Sequence, residues 1–369
     1  MSKLTKEEQL QKIDGVLNKL SNKDFNVYFM VIDTKGNTSG SIEYLYQLAY
    51  KMLKMGYNAK MAYVDITEKD KYVGPFDWLD KKYEEIPYVN VKDTNVMFGP
   101  EDFIFIPEIL SDVIFETKDK LNSKKILVVN DYKRMADFFP VMTDLNGSGI
   151  FECVTTTERQ KDMILKMFPS LHVSVINPAI ENKFRPYDGP KKLMVNIVSR
   201  NPSDRNRITK EFYWKYPIYR WVSFRDLRSL NQDIMSEAFR DVDFTIWADD
   251  NTEFGYSLLE ALKSGNIVLA KIPDNLSDWM EGENEGELNN ACIWFRSIDD
   301  VPDMIASLVR SWTLDKIPDD LKNRYKAVEG LYTNELQEAS IKENIVNGIF
   351  TRRVKDFNEL KKIIESNNE

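Results

Sequence analysis

The stretch DVDFTIWADDNTEFGYSLLEALKSGNIVLAK (241–271) decides the fold. An apolar run of strand length leads through a polar loop to a glycine, then to a segment with helical spacing, and closes on a second apolar run. Runs without polar alternation suit strands covered on both faces, the condition of a parallel sheet. Such sheets bind ligands beyond the carboxyl ends of their strands, which here is the loop leading to Gly255. Gly255 lets a backbone approach a ligand closely, and a helix starting at Tyr256 or Ser257 presents free N–H groups and a positive dipole end suited to a diphosphate. Glu260, about one turn into that helix, can accept two hydrogen bonds from a ribose diol, and Ser257 can cap the helix or bond a phosphate.

The same grammar extends in both directions. Strand-like runs at 192–200, 217–224, 242–249, 266–271 and 291–295 form one series; runs at 26–33, 58–65, 102–108, 124–131, 149–157 and 171–178 form another. In the N-terminal series the run at 26–33 leads through a Gly-containing turn into 41–56, where Ile42, Leu45, Leu48, Ala49, Met52 and Leu53 fall on one stripe and Gly56 sits at the expected C-cap. Gly40 is the close-approach candidate there, and Asn37, Thr38 and Ser39 are candidate acceptor or phosphate contacts. Between the two series, NPAIENKFRPYDGPKK (177–192) is rich in Pro and charge and reads as an extended connector. The expected architecture is α/β, two Rossmann-like doubly wound domains facing a cleft: an N-terminal domain over 1–184, a C-terminal one over 185–345, and a helical tail over 346–369 packing back on the first.

Composition narrows the chemistry. The chain has 369 residues, 43% of them apolar, enough for substantial cores. Two Cys cannot build a disulfide framework, and with a single His they cannot build the usual soft-ligand zinc site, so a reducing, cytoplasmic setting is expected. A net charge of −9 argues against a chain-wide nucleic-acid footprint without excluding a local basic groove. The N-terminus spaces Leu4, Leu10, Ile13, Leu17 and Leu20 like a surface helix with no signal-peptide core, and no apolar run reaches the roughly 20 residues that span a bilayer. Asp241-Val242-Asp243 imitates a metal-binding D-x-D, but it opens a strand away from the ligand-binding end and reads as structural, as does His172.

The decisive segment resembles the signature of glycosyltransferases with the GT-B fold, especially the retaining family-four-like group, whose motif runs E-G-F-G-x-x-x-x-E-A-x-x-x-G-x-P-V. FGYSLLEALKSGNIV (254–268) matches its Phe, Gly, second Glu, Ala, following Gly and final Val; Thr252 stands at the first Glu, Glu253 at the next Gly and Ile267 at the Pro. The resemblance implies donor binding by Phe254, Gly255, Tyr256, Ser257 and Glu260, with Glu260 on the nucleotide ribose and Glu253 as the displaced donor-sugar carboxylate. Upstream, NIVSRNPSDRNR (196–207) resembles the family's diphosphate grip, with Arg200 and Arg205 in the places of its Arg and Lys. VINPAIENKFRP (175–186) resembles its interdomain sequence. Asn130-Asp131 stands where many members carry His-Asp, which makes Asp131, with Ser39 and Gly40, an acceptor-side candidate.

What the resemblance implies is an enzyme, a hexosyl- or pentosyltransferase that moves sugar from a UDP-, GDP- or ADP-sugar to a hydroxyl, with retention and without a metal or other cofactor. Arg200, Arg205 and the helix N-terminus would stabilise the departing diphosphate. The acceptor stays open between a glycan, a lipid-linked sugar, protein and a hydroxylated DNA base. The last enters because NNACIWFRSIDDV (289–301) is similar to phage enzymes that glycosylate modified DNA, in which case the setting is a host cytoplasm. Two competitors remain: a catalytically inactive GT-B scaffold that binds a nucleotide or partner, motivated by Thr252 and Asn130, and a nucleotide-sugar epimerase.

Overall fold

The computed structural model describes residues 5–64, 76–92, 96–117, 121–228, 230–249, 254–274, 276–284 and 287–366. Two all-parallel sheets organise them. The first is built from β1 (Asn26–Val31), β2 (Asn58–Tyr63), β3 (Tyr88–Asn90), β4 (Phe103–Pro107), β5 (Lys124–Val129), β6 (Ile150–Thr155) and β7 (His172–Val175), in the order 3-2-1-4-5-6-7. The second is built from β8 (Lys192–Val198), β9 (Ser223–Asp226), β10 (Val242–Trp247), β11 (Ile267–Lys271) and β12 (Ile293–Phe295), in the order 12-11-10-8-9. In each sheet the winding direction reverses once, between β1 and β4 and between β8 and β10. Crevices that bind ligands open at the carboxyl ends of such neighbours.

Helices cover both faces. They are α1 (Lys6–Ser21), α2 (Gly40–Lys54), α3 (Ser111–Glu116), α4 (Tyr132–Phe138), α5 (Glu158–Met167), α6 (Pro202–Lys215), α7 (Gln232–Arg240), α8 (Tyr256–Lys263), α9 (Val301–Thr313), α10 (Asp319–Lys322), α11 (Asn334–Ile341) and α12 (Thr351–Ser366). The central strands are buried on both faces, β4 and β5 throughout, because a separate apolar cluster packs on each side of the sheet. The second sheet repeats the arrangement.

Local chemistry sets the element ends. α1 starts at a capping box in which Thr5 and Glu8 exchange bonds, and it buries Ile13, Val16 and Leu20. α2 ends before Gly56, which takes a left-handed φ of 81°. The chain end returns to the first sheet: a π-helical segment (Lys342–Phe350) joins α11 to α12 and buries Ile345, Ile349 and Phe350, the last with its ring centroid 4.2 Å from that of Phe103. Beyond it Arg352 grips Glu152 of β6 with two bonds, at 2.8 and 2.6 Å.

One expected strand is displaced. The run at 217–224 splits into a 3-10 turn (Pro217–Tyr219) and β9, which starts only at Ser223. Pro217 has no N–H to give a ladder, and Ile218 and Trp221 face solvent rather than a core, so their apolarity misleads. The short edge strand β3 carries no apolar run of its own and was not anticipated.

Candidate active site

The two sheets meet at a cleft of about 520 Å³, lined by the segments that follow β1, β2, β5, β6, β8, β9 and β10. Both switch points open into it. On the second sheet, Arg200 beyond β8 and Asp249 beyond β10 join across the switch point, Nε to Oδ2 at 2.9 Å, with Asp249 buried and Arg200 largely exposed.

α8 points its N-terminus at the cleft. Its N-cap is Gly255 at φ 78°, a left-handed conformation that glycine adopts at least cost, and among the described residues no side chain caps the helix. A Cβ at Gly255 would lie 2.9 Å from the terminal methyl of Met280, a flexible end that has to shift, so the left-handed backbone is the main bar to a larger residue. Phe254, Tyr256, Ser257 and Glu260 all line the cleft. Ser257 does not cap the helix; its hydroxyl accepts from Trp247 Nε1 at 3.2 Å. Glu260 is 7% exposed, and its carboxylate has no hydrogen bond among the described residues. Burial, and then the neighbouring Glu43 and Glu181 carboxylates, hold it well above the ordinary carboxylate range against the pull of Lys183.

The opposite wall comes from the first sheet. Ser39 caps α2, accepting from the Ile42 amide at 3.5 Å, and Gly40 packs against Tyr256: a Cβ there would sit 2.8 Å from the ring. The close approach at Gly40 is thus made first of all by a side chain of the second half. Asp131 caps α4 through the Lys133 amide at 2.9 Å and pairs with Arg134 at 3.6 Å. Asn130, Thr156 and Trp78 complete this face.

Arg205 is placed differently from Arg200. It lies in the first turn of α6, is 6% exposed, does not line the cleft and is held by Asp226 at the end of β9, which also receives Arg228. Its Nε and one terminal nitrogen are buried without partners, and burial lowers its pKa. Glu253, like Thr252, lies outside the described residues. Asp241 and Asp243 sit at the far end of β10, engaged with Lys192 and with Lys191 and Trp312. Among the described residues no group of three His, Cys, Asp or Glu could hold a metal ion, and no helix is long and apolar enough to cross a membrane.

The cleft also holds residues that sequence reading missed: Glu43, Gln232, Arg228, Arg134 and Trp78. Glu43 had a readable signal, since it stands one turn into α2 from Gly40 much as Glu260 stands one turn into α8 from Tyr256. The others come from turns whose direction no periodicity reveals.

No protein-family model matches the chain, and no curated protein sequence matches it. Similarity to solved structures is extensive. The pneumococcal O-GlcNAc transferase GtfA, solved with UDP and GlcNAc, superposes with a TM-score of 0.59 at 10% identity, covering 88% of this chain and 99% of that one. Sucrose-phosphate synthase from Thermosynechococcus elongatus gives 0.58 at 10% identity, with 89% and 99% covered. A glycosyltransferase from Rickettsia africae gives 0.56 at 12% identity, with 90% and 99% covered. With its two parallel sheets meeting at a cleft, the chain has the GT-B fold of these glycosyltransferases.

Proposed function

We propose that the chain is a glycosyltransferase that moves a sugar from a nucleotide-sugar donor to an acceptor hydroxyl. The observation that carries this reading is Glu260: a buried carboxylate without a hydrogen bond among the described residues, one turn inside a helix whose N-terminus, with no side-chain cap among those residues, faces the same cleft as Arg200. A ribose diol supplies the two donors that Glu260 lacks, and the amides at the start of α8 suit the diphosphate above it. Support also comes from GtfA, which shares the fold and was solved with UDP and GlcNAc.

In this mechanism the donor belongs to the half after residue 184 and the acceptor to the half before it, whose wall offers Ser39, Gly40 and Asp131. As the glycosidic bond breaks, negative charge grows on the leaving diphosphate. Arg200 meets it with planar paired donors and α8 with its dipole, so the charge is stabilised without a metal. Arg205, which the fold buries against Asp226 outside the cleft lining, adds its positive charge to that of Arg200 without touching the donor. Glu253 contacts the donor sugar. The acceptor hydroxyl attacks on the leaving-group face and gives its proton to a phosphate oxygen, which retains the anomeric configuration and calls for no His base.

The test is a matrix of UDP-, GDP- and ADP-sugars against glycan, lipid-linked and hydroxymethylated-DNA acceptors, read for nucleotide release and product. Transfer from one donor class is expected. A donor that binds but neither hydrolyses nor transfers would make the protein a binding scaffold, and an epimeric sugar formed without acceptor would make it an epimerase.

A further inference from the structure

Three carboxylates from three segments lie close to one another, two of them in the cleft lining. Glu43 on α2, Glu181 on the connector and Glu260 on α8 are each 7% exposed. Of the nearby cations, Lys82 pairs with Glu181 itself at 2.5 Å, and Lys183 bridges Asp80 at 2.6 Å and Asp233 at 2.5 Å. Among the described residues neither Glu43 nor Glu260 has an ion-pair partner. Helix geometry brings these two together. α2 and α8 touch at Gly40 and Tyr256, and Glu43 and Glu260 stand one turn further along their helices, both lining the cleft. Glu43 Oε1 accepts from Gln232 Nε2 of the second half at 2.5 Å and from Gln47 Nε2 at 3.2 Å. Beside them the Tyr256 hydroxyl and Gln232 Oε1 are buried and unpartnered.

Two carboxylates so placed, without a cation of their own, cannot both ionise at neutral pH. We propose that Glu43 is the proton partner of Glu260: the two buried carboxyls hold one proton between them, and a donor nucleotide taken by the Glu260 carboxylate binds with transfer of that proton to Glu43, or to water when Glu43 is already protonated. Glu43 is thereby a positioning residue, and the inference rests on the ribose role of Glu260 proposed above. A diol must donate to both oxygens of Glu260, so the proton on that carboxyl has to leave as the diol arrives. Every group facing the pair fits this account. Burial and then Glu181 push Glu43 up to about 7, against Gln232, Gln47 and Lys82. Tyr83, Tyr44 and Tyr256 are themselves kept protonated by burial and their neighbours.

Below pH about 7, where both carboxyls carry protons, each donor bound releases one proton, and affinity drops by up to tenfold per pH unit. Above that pH the transfer is internal and affinity levels off. Calorimetry with UDP-, GDP- and ADP-sugars, in two buffers of different ionisation heat between pH 5.5 and 8, reads both quantities. These donors are diphosphate diesters with no phosphate titrating in that range. Wild type should release nearly one proton at pH 6. Glu43→Gln removes the internal acceptor, so it should still release nearly one proton near pH 8, where wild type releases almost none, while Glu43→Asp should keep the wild-type profile. Identical profiles in wild type and Glu43→Gln would overturn the proposal. If no sugar nucleotide binds at any pH, the ribose reading fails, and urea unfolding then tests the pair alone. Wild-type stability should fall from pH about 5 to 7, because the fold favours the protonated carboxyls, and Glu43→Gln should flatten the fall. Equal slopes in the two proteins would overturn the pairing.

Discussion

The loop-to-helix junctions after β1 and after β10 look alike in sequence, each a polar loop with a glycine before an amphipathic helix, yet they do different work. At α2 the capping need is met within the chain by Ser39, and Gly40 makes room for the Tyr256 ring. At α8 the glycine itself is the cap, in a left-handed conformation, and among the described residues no side-chain cap is present. A helix N-terminus capped by its own residues is a packing device; one left uncapped beside a buried carboxylate and an arginine is where an anion is expected. The glycines tell the two apart by what a Cβ would strike: at Gly40 an aromatic ring of the other half, at Gly255 a methionine from the same half together with backbone strain.

That contrast can be broken by substitution. Gly255→Val should be the most damaging, because a β-branched residue would have to hold φ near 78° with its Cβ 2.9 Å from Met280. A loss of about 2 kcal/mol or more in denaturant unfolding is expected, with donor binding abolished. Gly40→Ala carries no such strain but forces the Tyr256 ring to shift, for about 1 kcal/mol; turnover should suffer more than donor affinity, since the contact joins the two halves. Ser39→Ala should be mildest, losing less than about 1 kcal/mol with donor affinity unchanged. If Ser39→Ala weakened donor binding as much as Gly255→Val, the two junctions would be functionally equivalent and the contrast would be wrong.

Much of this arrangement was legible in the chain, for physical reasons. Strands buried on both faces leave uninterrupted apolar runs, so the central strands of both sheets were readable, as was the helix opened by Gly255. The edges were harder. β9 is short and preceded by the exposed Ile218 and Trp221, and β3 has only three residues. At the site, Arg200 and Glu260 lay at positions fixed by a strand end and a helix turn, whereas the burial of Arg205 against Asp226 depends on how α6 packs beside β9. The Glu43 to Gln232 contact joins residues 189 apart in sequence, a distance across which periodicity carries no information.

The most direct test of the account compares wild type with Glu260→Ala in calorimetric titrations against UDP-, GDP- and ADP-sugars, with thermal unfolding as a control for the fold. One donor class should bind the wild type, the substitution should weaken that binding at least tenfold, and the melting transition should persist. Equal affinity in the two proteins would contradict the ribose role of Glu260, and with it the assignment of the cleft as a nucleotide-sugar site.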